Sequence, residues 1–163
     1  MKTLLVIRHA KSSWSDSSQK DFDRPLNDRG HHDAPAMAKR LLDKGINIDA
    51  FISSPAKRAL ATCEYFVKAF GKKNKDILQI PKLYEAHAAT FFEVIKNIND
   101  SFNCVAIFSH NPDITSFVNE LTNVQIDDMP TCAIFAVNFE TRSWKDFQRI
   151  KKHFLFFDHP KNA

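Results

Sequence analysis

Two histidines and two arginines stand where apolar segments of this 163-residue chain give way to polar ones. Arg8 and His9 directly follow an aliphatic run, His110 follows a second apolar run, and Arg58 lies just beyond a third. Guanidinium groups bind phosphate oxygens through paired N–H groups. A neutral imidazole can attack phosphorus and form a phosphohistidine. These residue types predict a phosphate pocket with its own nucleophile, if the fold brings them together.

Short apolar runs alternate with amphipathic segments along the chain, which is typical of an α/β fold with a mostly parallel sheet covered on both faces. The predicted strands are Thr3–Ile7, Asp49–Ser53, Ile77–Ile80, Cys104–Phe108, Ala133–Phe139 and Phe147–Phe157, the last of them at an edge. The predicted helices cover 30–44, 54–71, 91–98 and 111–121. Ligands of such sheets bind outside the carboxyl ends of the strands. We therefore expect the four residues to meet at one edge of the sheet.

Capping residues predict where the helices begin and end. Gly45 and Gly71 are expected to end the first two helices. Ser54 is expected to cap the second helix, and Asn111 or Ser109 the fourth. The length suits a single domain spanning residues 1–163.

Each candidate site residue also has an ordinary structural explanation when it is taken alone. An Arg-His pair is most often a surface pair, Arg58 alone would be a common helix charge, and His110 alone would be a cap or a core histidine. Taken together, each at a junction between a strand and the next segment, they favour a functional site.

Five segments in order resemble the histidine phosphatase superfamily, also called phosphoglycerate mutase-like, and in particular its small phosphohistidine phosphatases of the SixA type. They are LLVIRHAKSSW, DFDRPLNDRG, FISSPAKRALAT, LYEA and FSHNPDIT. The resemblance implies a three-layer α/β/α sandwich with a mixed, mostly parallel sheet of about six strands. It implies His9 as the phosphorylated nucleophile, with Arg8, Arg58 and His110 binding the phosphoryl oxygens.

Glu85, in the LYEA segment, matches the region where larger relatives place an acid that protonates the leaving oxygen. The alternative is that Glu85 forms an ion pair with Arg8 or Arg58 and only orients it. Secondary roles near the phosphate stay open for a further set of residues, each with a structural alternative: Lys11, Ser12, Ser13, Arg24, Arg29 and His87. Trp14 is expected to pack, and His31, His32, His153 and His159 to lie on the surface.

The segment between Glu85 and His110 indicates the class of substrate. Residues 86–109 are nearly used up by one helix and one strand, so no segment is left for a lid. A shallow, open site would suit a phosphoryl group displayed on a protein, because it cannot bury most of a small molecule. The first hypothesis is a phosphohistidine phosphatase acting on a phosphorylated protein. The alternatives are a small-molecule phosphomonoesterase or mutase, and a non-catalytic phosphate-binding module.

Composition narrows the remaining classes. A net charge of +4 with dispersed basic residues does not indicate a nucleic-acid partner, and the apolar runs are too short to span a membrane. Cys63, Cys104 and Cys132 lack metal-ligand spacing and are expected to be small buried side chains of a cytoplasmic protein. We expect no metal and no cofactor, because the arginines already supply positive charge; the sequence does not indicate the oligomeric state.

Overall fold

The computed structural model describes residues 1–162, which form one six-stranded sheet with helices on both faces. The strands are β1 (Lys2–Arg8), β2 (Ala50–Ser53), β3 (Leu78–Gln79), β4 (Cys104–Ser109), β5 (Ile134–Phe139) and β6 (His153–Asp158). The helices are α1 (Asp28–Asp43), α2 (Lys57–Ala69), α3 (Ala88–Lys96) and α4 (Asp113–Asn119).

The sheet order is β3-β2-β4-β1-β5-β6. The first four of these strands run parallel, while β5 is antiparallel to both β1 and β6. The predicted mixed, mostly parallel sheet of six strands is confirmed, with β6 at an edge as expected. β4 lies between β2 and β1, so three strands that run in the same direction end side by side.

Two apolar layers explain why helices cover both faces. Alternate side chains of β1 point to opposite faces, as a strand requires. Leu4 and Val6 join a cluster with α3 and α4, whereas Leu5 and Ile7 join a cluster with α1 and α2. The result is the predicted three-layer α/β/α sandwich. The cysteines are buried and unpaired, also as predicted.

Several predicted element boundaries are wrong. α1 begins at Asp28 rather than Gly30, because the Asn27 side chain caps it by accepting the Gly30 N–H at 2.9 Å. α2 begins only at Lys57, and Ser54 does not cap it because its hydroxyl is used elsewhere. No side-chain hydrogen bond caps α4.

The start of the last strand also differs from its prediction. β6 begins at His153, because the apolar residues around Phe147 follow a short 3-10 helix and pack into the core instead.

Candidate active site

The carboxyl ends of β1 and β4 place two histidines side by side. Arg8 pairs with Ser109 in the sheet register, so His9 and His110 follow at equivalent positions. Their ring centroids are 5.1 Å apart. Arg58 is the second residue of α2, the helix that follows β2, and its side chain reaches the same edge of the sheet. All four predicted residues line one cavity of about 640 Å³, together with Glu85.

The backbone fixes the orientation of the buried His9 ring. His9 Nδ1 lies 2.7 Å from the carbonyl oxygen of Ala10. A carbonyl can only accept, so Nδ1 carries the ring hydrogen and Nε2 keeps its lone pair. Burial and the nearby positive charges of Arg58 and Arg8 hold the pKa of His9 well below its ordinary value. His9 is therefore a neutral imidazole, the form that attacks phosphorus.

Backbone carbonyl groups accept hydrogen bonds from the guanidinium groups of Arg8 and Arg58. Arg8 Nη1 donates to the Met129 carbonyl at 2.7 Å, and Arg58 Nη1 donates to the Asp21 carbonyl at 2.7 Å. The Nε atoms of both arginines are buried and lack a hydrogen-bond acceptor anywhere in residues 1–162. A buried donor without a partner costs about 1–3 kcal/mol, so such groups usually mark a site for a ligand or water.

His110 provides a third buried nitrogen of this kind. Its Nε2 lies 2.8 Å from the Ser54 hydroxyl, which in turn accepts the Ala56 N–H at 3.2 Å. These two hydrogen bonds favour donation of the Ser54 hydroxyl proton to His110 Nε2, which leaves the ring hydrogen on Nδ1. Within the described residues, Nδ1 is buried without a partner. Burial and the charge of Arg58 lower the pKa of His110 to about 3, so the ring is neutral at physiological pH.

Asp21 is a cavity residue that the sequence interpretation missed, although it lies in the quoted DFDRPLNDRG segment. Its Oδ2 accepts from Arg58 Nη2 at 3.0 Å and from the Tyr84 hydroxyl at 2.6 Å, and its Oδ1 accepts from Arg24 Nε at 3.2 Å. Burial acts to raise its pKa, but the hydrogen bond from Tyr84 and the charge of Arg58 outweigh it and lower the pKa to about 2. Asp21 is therefore an anion that fixes two arginines and a tyrosine.

Arg24 lines the cavity and Arg29 does not, which decides between the two arginines of that segment. Arg24 is buried and donates to the Ser12 hydroxyl at 2.6 Å. Arg29 forms an ion pair with Asp33 at 3.4 Å. The expectation that Trp14 packs is wrong: this side chain is 72% exposed at the cavity, with the Arg24 guanidinium 3.6 Å from its ring centroid.

Glu85 lies exposed at the rim of the cavity. It makes no ion pair with Arg8 or Arg58 in the described chain; Asp21 is the acid that pairs with Arg58. His87 also lines the cavity, but its partner is Asp113 at 3.5 Å rather than Glu85.

The other expected neighbours of the phosphate divide between the cavity and the surface. Lys11 and Ser12 line the cavity, while Ser13 bonds to Ser15 nearby. His31, His32 and His153 are exposed, and His159 is partly exposed.

Close packing holds the segment after His9 in place. Gly30 of α1 has no room for a side chain, because a Cβ there would lie 2.2 Å from the Lys11 carbonyl oxygen. From the other side, the Thr62 hydroxyl accepts the Ala10 N–H at 2.9 Å and donates to the Arg58 carbonyl at 2.7 Å. Thr62 thereby ties the backbone beside His9 to the helix that carries Arg58.

Comparison with known proteins identifies the family. The model of the histidine phosphatase superfamily, branch 1, matches residues 4–92. The chain belongs to the histidine phosphatase superfamily. The predicted family is thereby confirmed, and the matched range contains His9, Arg8, Arg58 and Glu85.

Curated relatives of this superfamily share modest sequence identity with the chain. An uncharacterized chloroplastic protein of Arabidopsis thaliana is 27% identical over 153 residues, which cover 89% of this chain and 70% of that protein. A 2,3-bisphosphoglycerate-dependent phosphoglycerate mutase of Bartonella tribocorum is 30% identical over 88 residues. That match covers 52% of this chain but only 42% of the mutase, so it spans less than half of that enzyme.

Solved structures of the superfamily confirm the fold over nearly the whole chain. A structure described as the phosphohistidine phosphatase SixA of Agrobacterium tumefaciens superimposes with a TM-score of 0.81 at 24% identity and covers 98% of both chains. The protein histidine phosphatase SixA complexed with tungstate gives 0.81 at 20% identity, with 97% of both chains covered. A mycobacterial glucosyl-3-phosphoglycerate phosphatase gives 0.73 at 14% identity, covering 94% of this chain and 97% of that one.

Metal-binding clusters and membrane-spanning helices are both absent from the described residues. Residues 1–162 hold no group of three or more His, Cys, Asp or Glu side chains placed to bind a metal ion. In the same range, no helix has the length and apolar character needed to cross a bilayer.

Proposed function

We propose that this protein is a phosphatase that works through a covalent phosphohistidine on His9, and that its substrate is a phosphohistidine displayed on another protein. Membership of the histidine phosphatase superfamily supports the phosphoryl chemistry. The observation that carries the proposal is a set of three buried nitrogen atoms that have no hydrogen-bond partner within residues 1–162. They are Arg8 Nε, Arg58 Nε and His110 Nδ1, and these residues line the cavity that also holds His9. A phosphoryl group offers three oxygens to such donors.

The first step is an attack of the His9 Nε2 lone pair on phosphorus, as the bond from phosphorus to the leaving group breaks. The ring gains positive charge, which strengthens its hydrogen bond to the Ala10 carbonyl. Arg8, Arg58 and His110 bind the phosphoryl oxygens, where negative charge must be stabilised in the transition state. In the second step a water attacks the phosphohistidine, returns His9 to neutral imidazole and releases inorganic phosphate.

The choice of a protein substrate is supported by the short connection between Glu85 and His110. α3 and β4 take up much of residues 86–109, and the rest forms short connections, so this segment supplies no lid. Phosphohistidine also releases imidazole, a better leaving group than an alkoxide, so it depends less on an acid. The two solved SixA proteins described above, which share the fold, are named as histidine phosphatases of this kind.

A small phosphomonoester is the second candidate substrate, and the cavity itself favours it. Its volume of about 640 Å³ lies within the range that small-molecule sites occupy. The mycobacterial phosphatase with the same fold is named for a small phosphorylated sugar acid. Both candidates share the step at His9.

Metal independence is part of the proposal. Four basic side chains and three acidic ones line the cavity. The basic side chains are Arg8, Lys11, Arg24 and Arg58, and the acidic ones are Asp21, Glu85 and Asp113. The positive charges neutralise phosphoryl oxygens without a bound cation. Activity should therefore survive chelation with EDTA; loss on chelation with recovery on added metal would contradict this part.

The deciding experiment measures kcat/KM for a phosphohistidine-bearing protein and for a panel of alkyl and aryl phosphomonoesters. A second measurement uses labelled substrate and a rapid, acid-free quench to trap the phosphorylated enzyme. The expected label is on His9, with the highest kcat/KM for the phosphohistidine protein. A higher kcat/KM for a small phosphomonoester would favour the second candidate. Label on another residue would overturn the assignment of the nucleophile.

The His9→Ala variant separates an enzyme from a phosphate-binding module. His9 lies at a strand end against the cavity, so its truncation should leave the protein folded. We expect turnover to vanish while inorganic phosphate still binds Arg8 and Arg58. Turnover equal to that of the wild type would contradict catalysis by His9, and a wild-type protein that binds phosphate without any turnover would be the module.

A further inference from the structure

Trp14 is an exposed aromatic side chain that lines the cavity and contacts Arg24. It is the most exposed of the large hydrophobic residues, at 72%, and it lines the cavity beside Ser12 and Arg24. One face of its ring is covered by the Arg24 guanidinium at 3.6 Å. Single exposed apolar residues are common on protein surfaces, so the informative observation is that Trp14 lies in the cavity lining.

The group that holds Trp14 is itself firmly placed. Arg24 is only 7% exposed, and its Nη1 donates to the Ser12 hydroxyl at 2.6 Å. Its Nη2 lies 3.2 Å from Asp21 Oδ1, the carboxylate that also binds Arg58. The orientation of the indole is therefore coupled to the same charged network that shapes the phosphate pocket.

Most of the other side chains that line the cavity are polar. Apart from Trp14 and Pro112, every residue that lines it carries a hydroxyl, carboxyl, amide, amino, imidazole or guanidinium group. Tyr84 also lines the cavity, but it is only partly exposed and packs edge-on against Phe22 and His110. Trp14 therefore offers the more exposed π surface to the part of a substrate that extends beyond the phosphoryl group.

We propose that the open face of Trp14 contacts the leaving group and selects planar leaving groups, the imidazole of phosphohistidine or an aryl ring, over aliphatic ones. This inference rests on the proposed function and specifies the substrate class of the same site. Offset stacking of a planar group on the indole, with Arg24 behind it, adds affinity that an alkyl chain does not gain. The expected preference is about two- to tenfold in binding.

Non-hydrolysable phosphonates test the idea without turnover. We would measure the Kd of phenylphosphonate and of methylphosphonate by calorimetry, with the wild type and with Trp14→Ala and Trp14→Phe. The wild type should prefer phenylphosphonate. Trp14→Ala should weaken phenylphosphonate about two- to tenfold and leave methylphosphonate unchanged, and Trp14→Phe should restore most of the preference.

Leu42→Ala is the matched control, because Leu42 is an exposed apolar residue of α1 that does not line the cavity. It should bind both phosphonates as the wild type does. Tryptophan fluorescence gives a second readout. Trp144 is buried and Trp14 is exposed, so a change in the emission of the solvent-exposed tryptophan on phenylphosphonate binding reports on Trp14.

The outcomes separate this inference from the proposed function. If methylphosphonate and phenylphosphonate bind equally, or if Trp14→Ala weakens both alike, the role of Trp14 is overturned while oxyanion binding stands. If neither phosphonate nor inorganic phosphate binds the wild type, the proposed function fails and this inference fails with it.

Discussion

The carboxylate of Asp21 and the guanidinium of Arg58 are joined by two contacts, because Arg58 donates to both the side chain and the backbone carbonyl of Asp21, at 3.0 and 2.7 Å. Asp21 precedes α1 and Arg58 lies in α2, so the pair joins two segments that are distant in the chain. The pairing holds the Arg58 guanidinium in place without a ligand, and it places a negative charge in a pocket proposed for anions.

Asp21→Asn tests which of these two effects matters more. We expect kcat to fall about tenfold, since Arg58 loses a charge-assisted hydrogen bond that orients it. The Ki of inorganic phosphate should stay the same or decrease, because the pocket loses a repelling charge. Steady-state kinetics with phosphate as competitive inhibitor measures both constants. A Ki that rises in proportion to the loss of kcat would show that Asp21 acts on ground-state binding instead.

Acid sensitivity follows from the two neutral histidines. In the folded protein the pKa of His110 is about 3, against an ordinary value of 6.5, so between these values the unfolded chain binds a proton that the folded chain does not. The contribution of His110 to the free energy of unfolding is therefore complete above about pH 6.5 and is lost as the pH falls toward 3. His9 acts in the same direction.

His110→Asn removes one of these titrating groups. The free energy of unfolding of the variant should depend less on pH than that of the wild type between pH 6.5 and 3. Urea denaturation at four or five pH values in that range measures the difference. Parallel curves for the two proteins would show that His110 is not buried as a neutral ring.

Gly30→Ala tests the packing of α1 against the segment after His9. The new Cβ would lie 2.2 Å from the Lys11 carbonyl oxygen and 3.2 Å from Leu26 Cβ, so the backbone after His9 must move. We expect about 1–3 kcal/mol of destabilisation together with a lower kcat. Thermal unfolding and steady-state kinetics measure the two effects.

Gly45→Ala is the matched control for that substitution, at the other end of the same helix. Gly45 has a φ of +77° and no atom within 4 Å of a Cβ, so an alanine there strains only its own backbone. It should reduce stability by about 1 kcal/mol and leave kcat/KM unchanged. Equal activity of the Gly30 and Gly45 variants would contradict a positioning role for Gly30.

The fold class and the residues at the strand ends could be predicted from the sequence. Apolar runs that end in a charged or titratable residue, such as the one before Arg8, mark carboxyl ends of parallel strands, and these ends meet by geometry. His9, Arg8, Arg58 and His110 therefore share a cavity as predicted. Their assigned roles stay predictions.

What the sequence did not reveal depends on contacts between distant segments. Asp21 is an ordinary surface acid in the sequence, and its place becomes visible only when Arg58 and Tyr84 converge on it. Trp14 was expected to pack because it is large and apolar, yet the exposed ring is covered on one face by Arg24. Ser54 has the residue type and spacing of a cap, but its hydroxyl bonds to His110. In each case a tertiary partner outweighs the local preference.

The structure argues against one of the two roles considered for Glu85, the ion pair with Arg8 or Arg58. An ion pair with Arg8 or Arg58 was the alternative to a general acid, and within residues 1–162 Arg58 is paired with Asp21 instead. Glu85 lines the same cavity from the segment between β3 and α3 and is exposed there. The role of general acid for Glu85 stays a prediction, supported by its place in the cavity lining.

Glu85→Gln should therefore act according to the leaving group. Alkyl phosphates release a poor leaving group, so their kcat/KM should fall about 100-fold or more without the acid. Aryl phosphates and phosphohistidine need less protonation and should lose little, which is the reverse of the pattern expected for Trp14→Ala. Glu93→Gln, an exposed acid of α3 that pairs with Lys82 away from the cavity, is the control and should leave all substrates unaffected. Equal losses across all leaving groups would exclude Glu85 as the acid and would leave His9 as the proposed nucleophile.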